Sequence, residues 1–149
     1  MLSPEERLEE LEAVFLELED ASEGSPIIVE GKKDLEALAL LGITRNVITL
    51  SKGISMFSFS VGISRKWKKA VVLTDWDRKG GHLARMLKEA LMNNGVAVND
   101  SIRARLAMLS MKEVKDIQSF PRFVNNLRVP AGIKLIQRRA KPRLSKRTK

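Results

Sequence analysis

Apolar positions along the chain change rhythm repeatedly, and each change marks an element. Leu8, Leu11, Phe15 and Leu18 recur at helical spacing, with glutamates on the other face. Ser3-Pro4-Glu5-Glu6 supplies the start of that helix, with Ser3 as N-cap, proline at the first helical position and Glu6 closing a capping box. Glu23-Gly24-Ser25-Pro26 stops it. Pro26 to Gly31 reads as a short buried strand ending on a carboxylate, Lys33 to Leu41 as a helix with Gly42 just past its end, and Asn46 to Leu50 as a second strand. Strand, helix and strand in that order make a βαβ unit, which implies parallel pairing and a right-handed crossover.

From Ser51 to Ser64, serines and glycines alternate with Ile54, Met56, Phe57, Phe59, Val61 and Ile63. A loop containing a weak helix is expected there, because a parallel sheet needs a crossover before its next strand. Ala70 to Thr74 is that strand, followed by a helix from His82 to Met92 that Asn93-Asn94-Gly95 stops. Val96 to Val98 is a last short strand. A helix capped within Asn99-Asp100-Ser101 runs to Leu109, and another, with Ser119 as cap, passes Pro121 and ends near Leu127. The pattern predicts an α/β fold with an open parallel sheet of about four strands.

A length of 149 residues suits one domain with its own core. Three parts are expected: an acidic helix over 1–20 packed on the domain, a body over 21–133, and a basic, flexible tail over 134–149. Residues 1–20 hold eight acids against Arg7, and residues 134–149 hold eight Lys or Arg and no acid, within a net charge of +9. No apolar run approaches ~20 residues, so no membrane span is expected. An acidic N-terminus without an apolar core argues against a signal peptide. The absence of cysteine rules out a disulfide framework and a thiolate zinc site, and a cytoplasmic location is expected. The N-terminal helix docks in cis or pairs two subunits as a homodimer; the sequence fits both.

The chemistry concentrates at Thr74-Asp75-Trp76-Asp77-Arg78-Lys79-Gly80-Gly81. Asp75 and Asp77, two apart on an extended segment, face the same way just beyond a strand. In an open parallel sheet, reactive groups gather at the carboxyl ends of strands, where Glu30 also stands. If the two strands are neighbours, three carboxylates meet in one crevice, and a bound Mg²⁺ or Mn²⁺ resolves their repulsion. Gly31, Gly80 and Gly81 leave room for backbone to approach a phosphate. Other readings compete. An aspartate here also caps a helix. A calcium loop runs out of oxygen ligands at Lys79 and Met86. His82, the lone histidine, suits a phosphate or surface contact better than a metal. Arg65-Lys66-Trp67-Lys68-Lys69 fits either a patch that binds phosphates and stacks a base or a solvated turn with Trp67 folded inward.

Val29-Glu30-Gly31-Lys32-Lys33-Asp34, with Leu40-Leu41-Gly42-Ile43 ten residues on, resembles the first motif of the Toprim domain. Leu73 to Gly81 resembles the second. The resemblance covers roughly Pro26 to Val98 and is strongest to the small stand-alone proteins of archaea and bacteria described as primase-like or similar to ribonucleases that mature ribosomal RNA. It implies a Rossmann-like fold with helices on both faces, Glu30 as the acid/base glutamate, and Asp75 and Asp77 as holders of Mg²⁺, with Glu30 contributing to the same site. Trp76 stands where the family often has a small residue or proline, and Gly81 where topoisomerases, the ribonucleases and primases often have glutamate. Without any tyrosine, cleavage through a tyrosyl–DNA intermediate is excluded within this protein.

The leading expectation is a Mg²⁺-dependent phosphoryl-transfer enzyme on nucleic acid, with RNA favoured over DNA: a nuclease on structured RNA. Lys32, Lys33, Arg78 and Lys79, with Gly80 and Gly81, would hold the phosphate backbone. A non-catalytic module binding RNA, DNA or a ribonucleoprotein is the alternative. Primase-like nucleotidyl transfer is weaker, since the chain shows no zinc-binding domain.

Overall fold

The computed structural model describes residues 2–50, 52–110 and 112–129. The basic stretch over 134–149 therefore lies outside the described residues. Ten elements follow one another: α1 (Pro4–Ala21), β1 (Ile27–Val29), α2 (Lys32–Leu40), β2 (Val47–Thr49), α3 (Met56–Ser64), β3 (Lys69–Val72), α4 (Arg78–Asn93), β4 (Ala97–Asn99), α5 (Ser101–Leu109) and α6 (Phe120–Arg128).

The four strands pair in parallel in the order β2-β1-β3-β4, with Ile27 opposite Val47 on one side and Val71 on the other. The βαβ unit and the adjacency of the first and third strands are both present. Strand side chains alternate between two buried layers, as a period of two requires. Ile27, Val29, Val71 and Leu73 meet α1, α2, α5 and α6, while Ile28, Ala70 and Val72 meet α3 and α4. Burial on both faces explains why the strands read as continuous apolar runs.

Several boundaries differ from expectation for identifiable reasons. The stretch over 56–64 is a full helix, begun by Ser55, whose Oγ accepts the Ser58 N–H at 3.0 Å. Serines, glycine and β-branched residues give it weak intrinsic propensity, but burying Phe59 and Ile63 one turn apart against the sheet outweighs that. Strand β3 spans Lys69–Val72 and gives way before Thr74. Helix α4 starts at Arg78, four residues ahead of His82, so the two glycines lie inside its first turn.

The N-terminal capping box forms, with Ser3 Oγ accepting from Glu6 N at 3.1 Å and Glu6 Oε1 from Ser3 N at 2.9 Å. Leu8, Leu11, Val14 and Leu18 of α1 are buried in the same cluster as Ile102, Leu106, Phe120 and Val124. Its acids are also tied inward: Glu17 pairs with Arg105 at 2.8 Å and Glu12 with Arg128 at 3.6 Å. Ser119 sits at the start of α6 without a side-chain cap; Asp116 Oδ1 takes the Ser119 N–H instead, at 2.9 Å. Among the described residues no helix is long and apolar enough to cross a membrane.

Candidate active site at the carboxyl edge of the sheet

The chain runs from β1 outward to β2, then returns across β1 to β3, so the topological switch point falls between β1 and β3. Ligands of open parallel sheets bind beyond the carboxyl ends of the strands at that point. Glu30 and Asp75 stand there. Leu73 N donates to Ile28 O at 2.8 Å, and two residues further Asp75 N donates to Glu30 Oε2 at 2.8 Å. A side-chain carboxylate thus replaces the carbonyl that a longer strand would offer, and it locks Glu30 beside Asp75.

Asp75 Oδ1 is buried and has no hydrogen-bond partner. Burial, then the charges of Glu30, Asp34 and Asp116, push the Asp75 carboxyl up to about 7, against the lowering effect of the Ile117 N–H. Burial also raises Asp34, whose Oδ2 accepts the Gly31 N–H at 3.0 Å at the start of α2. Asp34 and Asp116 are therefore acids near enough to raise Asp75, and the sequence reading assigned neither to the site. Asp34 lies within the quoted first motif, four residues past Glu30, which is one helical turn. Nothing in the sequence brings Asp116 in, because a loop reaches the site from far along the chain.

Asp77 behaves as the helix-cap reading foresaw: it is the N-cap of α4, and its Oδ1 accepts the Gly80 N–H at 2.7 Å. Gly80 is buried, with its carbonyl accepting from Thr74 Oγ1 at 2.8 Å. A methyl group on Gly80 would collide with the Asp75 carbonyl, so glycine here lets α4 approach the strand end. Lys32 and Lys33 occupy the first turn of α2, and Arg78 and Lys79 that of α4, all four exposed. Cations at helix N-termini oppose the helix dipole, an arrangement that an anionic ligand would relieve.

Trp76 points away from the crevice. Its backbone N–H donates to Lys115 O at 2.8 Å and its Nε1 to Val114 O at 2.7 Å, and its ring meets Phe120 edge-on at 5.4 Å. The bulky residue of the second motif thus latches the 112–119 segment beside Asp75. Arg103 of α5 is a further residue missed as part of the site. Its Nε and Nη2 donate to the carbonyls of Thr74 and Asp75 at 3.0 and 2.8 Å. Burial lowers its pKa, while Asp100, Glu30, Asp75 and Asp77 work the other way. Trp67 packs inward against the α3–α4 layer, and the Arg65–Lys69 patch leads into the start of β3, at the edge opposite Asp75.

Among the described residues no three His, Asp or Glu side chains are gathered so as to hold a metal ion by themselves. The crevice offers two half-buried carboxylates, Glu30 and Asp75, one of them with an unpartnered buried oxygen. All-oxygen donors of this kind suit a hard cation, and Mg²⁺ is commonly held by only one or two carboxylates together with water and substrate phosphates.

Fold and site together define a parallel α/β protein with an acidic crevice at its topological switch point. Residues 25–109 match the family model of the Toprim domain, and the chain belongs to that family. The family places it among metal-dependent domains that act on nucleic acid. A UPF0292 protein of Methanosarcina acetivorans is 39% identical over 132 residues, which cover 88% of this chain and 91% of that protein. One from Methanocaldococcus jannaschii is 34% identical over 121 residues, 81% of this chain and 94% of its own. A solved protein from Aquifex aeolicus superposes with a TM-score of 0.61 at 31% identity, covering 72% of this chain and 94% of that one. Helix α1, the 112–119 segment and α6 all lie outside the matched residues.

Proposed function

We propose that the protein is a Mg²⁺-dependent nuclease acting on structured RNA, with Glu30 and Asp75 as the core of its site. The observation that carries this reading is the unpartnered, buried Asp75 Oδ1 beside a Glu30 carboxylate fixed by the Asp75 N–H. Glu30, Asp75 and the Asp77 oxygen not used by the helix cap would hold the cation. Bound there, Mg²⁺ or Mn²⁺ would neutralise charge on the phosphoryl group as it is attacked. Glu30 carries the proton from the attacking water toward the leaving oxygen as the P–O bond breaks. Lys32, Lys33, Arg78 and Lys79 bind the flanking phosphates and orient the backbone, and Gly81 leaves open space beside them, whereas Gly80, whose N–H and carbonyl are taken by Asp77 and Thr74, serves the close packing of α4.

Exchanging both Asp75 and Asp77 for Asn is expected to abolish Mg²⁺-dependent cleavage of a structured RNA by the purified protein. Cleavage retained by that double variant overturns the assignment. The use of Asp77 as a helix cap, and the lack of a three-carboxylate cage among the described residues, favour a second reading: a module that binds nucleic acid without cutting it. Filter binding in EDTA separates the two, since unchanged binding with no turnover on any RNA supports the module.

A further inference from the structure

Arg85 follows Gly81 by four residues on one face of α4, and helical side chains lean toward the N-terminus, so Arg85 reaches back over the glycine. From α5, Arg103 reaches the same spot. A methyl group on Gly81 would lie 3.6 Å from Arg103 Nη2 and 3.9 Å from Arg85 Nη1. Two guanidiniums therefore converge on the space where a side chain would ordinarily stand. Arg103 is fixed there by its bonds to the Thr74 and Asp75 carbonyls. Arg85 has no hydrogen bond or ion pair with any described residue. Asp100, the acid acting most strongly on Arg103, already gives its Oδ2 to Lys88 Nζ at 3.0 Å. Neither guanidinium is paired with a carboxylate among the described residues, and like charges brought together are unfavourable until an anion joins them.

We infer that Arg85 and Arg103 form a clamp for a phosphate group, seated over Gly81 beside the Asp75 crevice. Guanidinium forks present paired N–H donors that match two oxygens of a phosphate, and a tetrahedral group offers enough oxygens for two forks at once. Because Arg103 also holds the Asp75 carbonyl, the clamp seats the phosphate next to the reacting one, an assignment that rests on the proposed nucleic-acid reading. Clamping requires neither metal nor turnover, so it is tested in EDTA.

Binding of a short RNA hairpin with a single-stranded 5′ extension, ending in either a 5′-phosphate or a 5′-hydroxyl, is measured for the wild type, Arg85→Gln and Gly81→Glu. Arg85 is exposed, so its change leaves the fold intact. At position 81 a larger side chain has room, and replacing a helical glycine is expected to raise Tm by about 2–4 °C while the new carboxylate neutralises the pair. Arg85→Gln is expected to weaken binding about tenfold and to lower the slope of log affinity against log salt by about 0.7; Gly81→Glu weakens it at least as much. Equal losses on both RNAs assign the clamp to an internal phosphodiester, and a loss confined to the 5′-phosphorylated RNA assigns it to a terminal monoester. Wild-type affinity and salt slope in both variants overturn the clamp. So does a loss seen only in Gly81→Glu together with a lowered Tm. If the wild type binds neither RNA, inorganic phosphate titrated against the arginine Nε–H resonances decides. Shifts at Arg85 and Arg103 that vanish in Gly81→Glu keep the clamp and retire the nucleic-acid reading; no shift in the wild type overturns the clamp.

Discussion

At the scale of single residues, Asp75 carries the largest consequence. In metal-free protein the folded state keeps the Asp75 proton to about pH 7, whereas the unfolded chain releases it near 3.8. Across that window the folded protein binds the extra proton, so its stability falls as pH rises and levels off above it. Asp75→Asn removes the titration. In EDTA its stability is expected to exceed the wild type's by about 1–2 kcal/mol at pH 8, after allowance for solvent screening, with the gap closing toward pH 4. Thermal melts of the two proteins at pH 4, 6 and 8 check this, and a gap independent of pH contradicts it. Gly80 is the steric counterpart. Gly80→Ala places a methyl group against the Asp75 carbonyl, and the expected loss is about 2–4 kcal/mol in urea unfolding, because backbone on both sides must shift. A loss below about 0.5 kcal/mol, the range of ordinary surface changes, means that α4 does not rest on the strand end as described.

At the scale of elements, what the sequence showed depended on whether pattern or packing decided the matter. Helix α1 and the strands were legible because capping box, stripe and apolar runs each act locally. The helix over 56–64 was underread because its propensity is poor and only contact with the sheet supports it. The early start of α4 was missed because paired glycines ordinarily signal a break, whereas here Gly80 is needed for close approach and Asp77 caps the turn. Trp76 joins two elements that no local pattern connects. Trp76→Phe keeps the edge-on contact with Phe120 but leaves the Val114 carbonyl without its donor, at an expected cost of about 1–2 kcal/mol. The loosening belongs to the 112–119 segment, so amide exchange at residues 113–117 is expected to accelerate while that of β1 and β3 stays unchanged. Uniform acceleration across the sheet contradicts the latch.

At the scale of the molecule, the two edges of the sheet differ in chemistry although both carry cations. Glu30, Asp75 and Asp77 were legible as acids at strand ends; the adjacency of β1 and β3 then seats Glu30 beside Asp75, while Asp77 goes to the cap of α4. The rest of the crevice, Asp116 and Arg103, comes from segments that only tertiary folding delivers. The same distinction decides which basic residues face a polyanion. Lys32, Lys33, Arg78 and Lys79 stand in the first turns of α2 and α4, at the carboxyl edge of the sheet, whereas Lys66 and Lys68 lie beyond the amino end of β3. Each cation withdrawn from a phosphate lowers the slope of log affinity against log salt by about 0.7 for a single-stranded ligand, so the two sets make different predictions. Changing Lys32 and Lys33 to Ala, or Arg78 and Lys79 to Ala, is expected to lower the slope by about 1.4 in each case. Changing Lys66 and Lys68 to Ala removes as much charge from the opposite edge. Long-range attraction then weakens, but every cation that touches a phosphate is still in place, so the slope holds. Fluorescence anisotropy with one labelled RNA across a salt series measures all three. Equal falls in the three variants would mean that net charge rather than the crevice gathers the nucleic acid. A fall confined to the Lys66 and Lys68 variant would move the binding face to the other edge of the sheet.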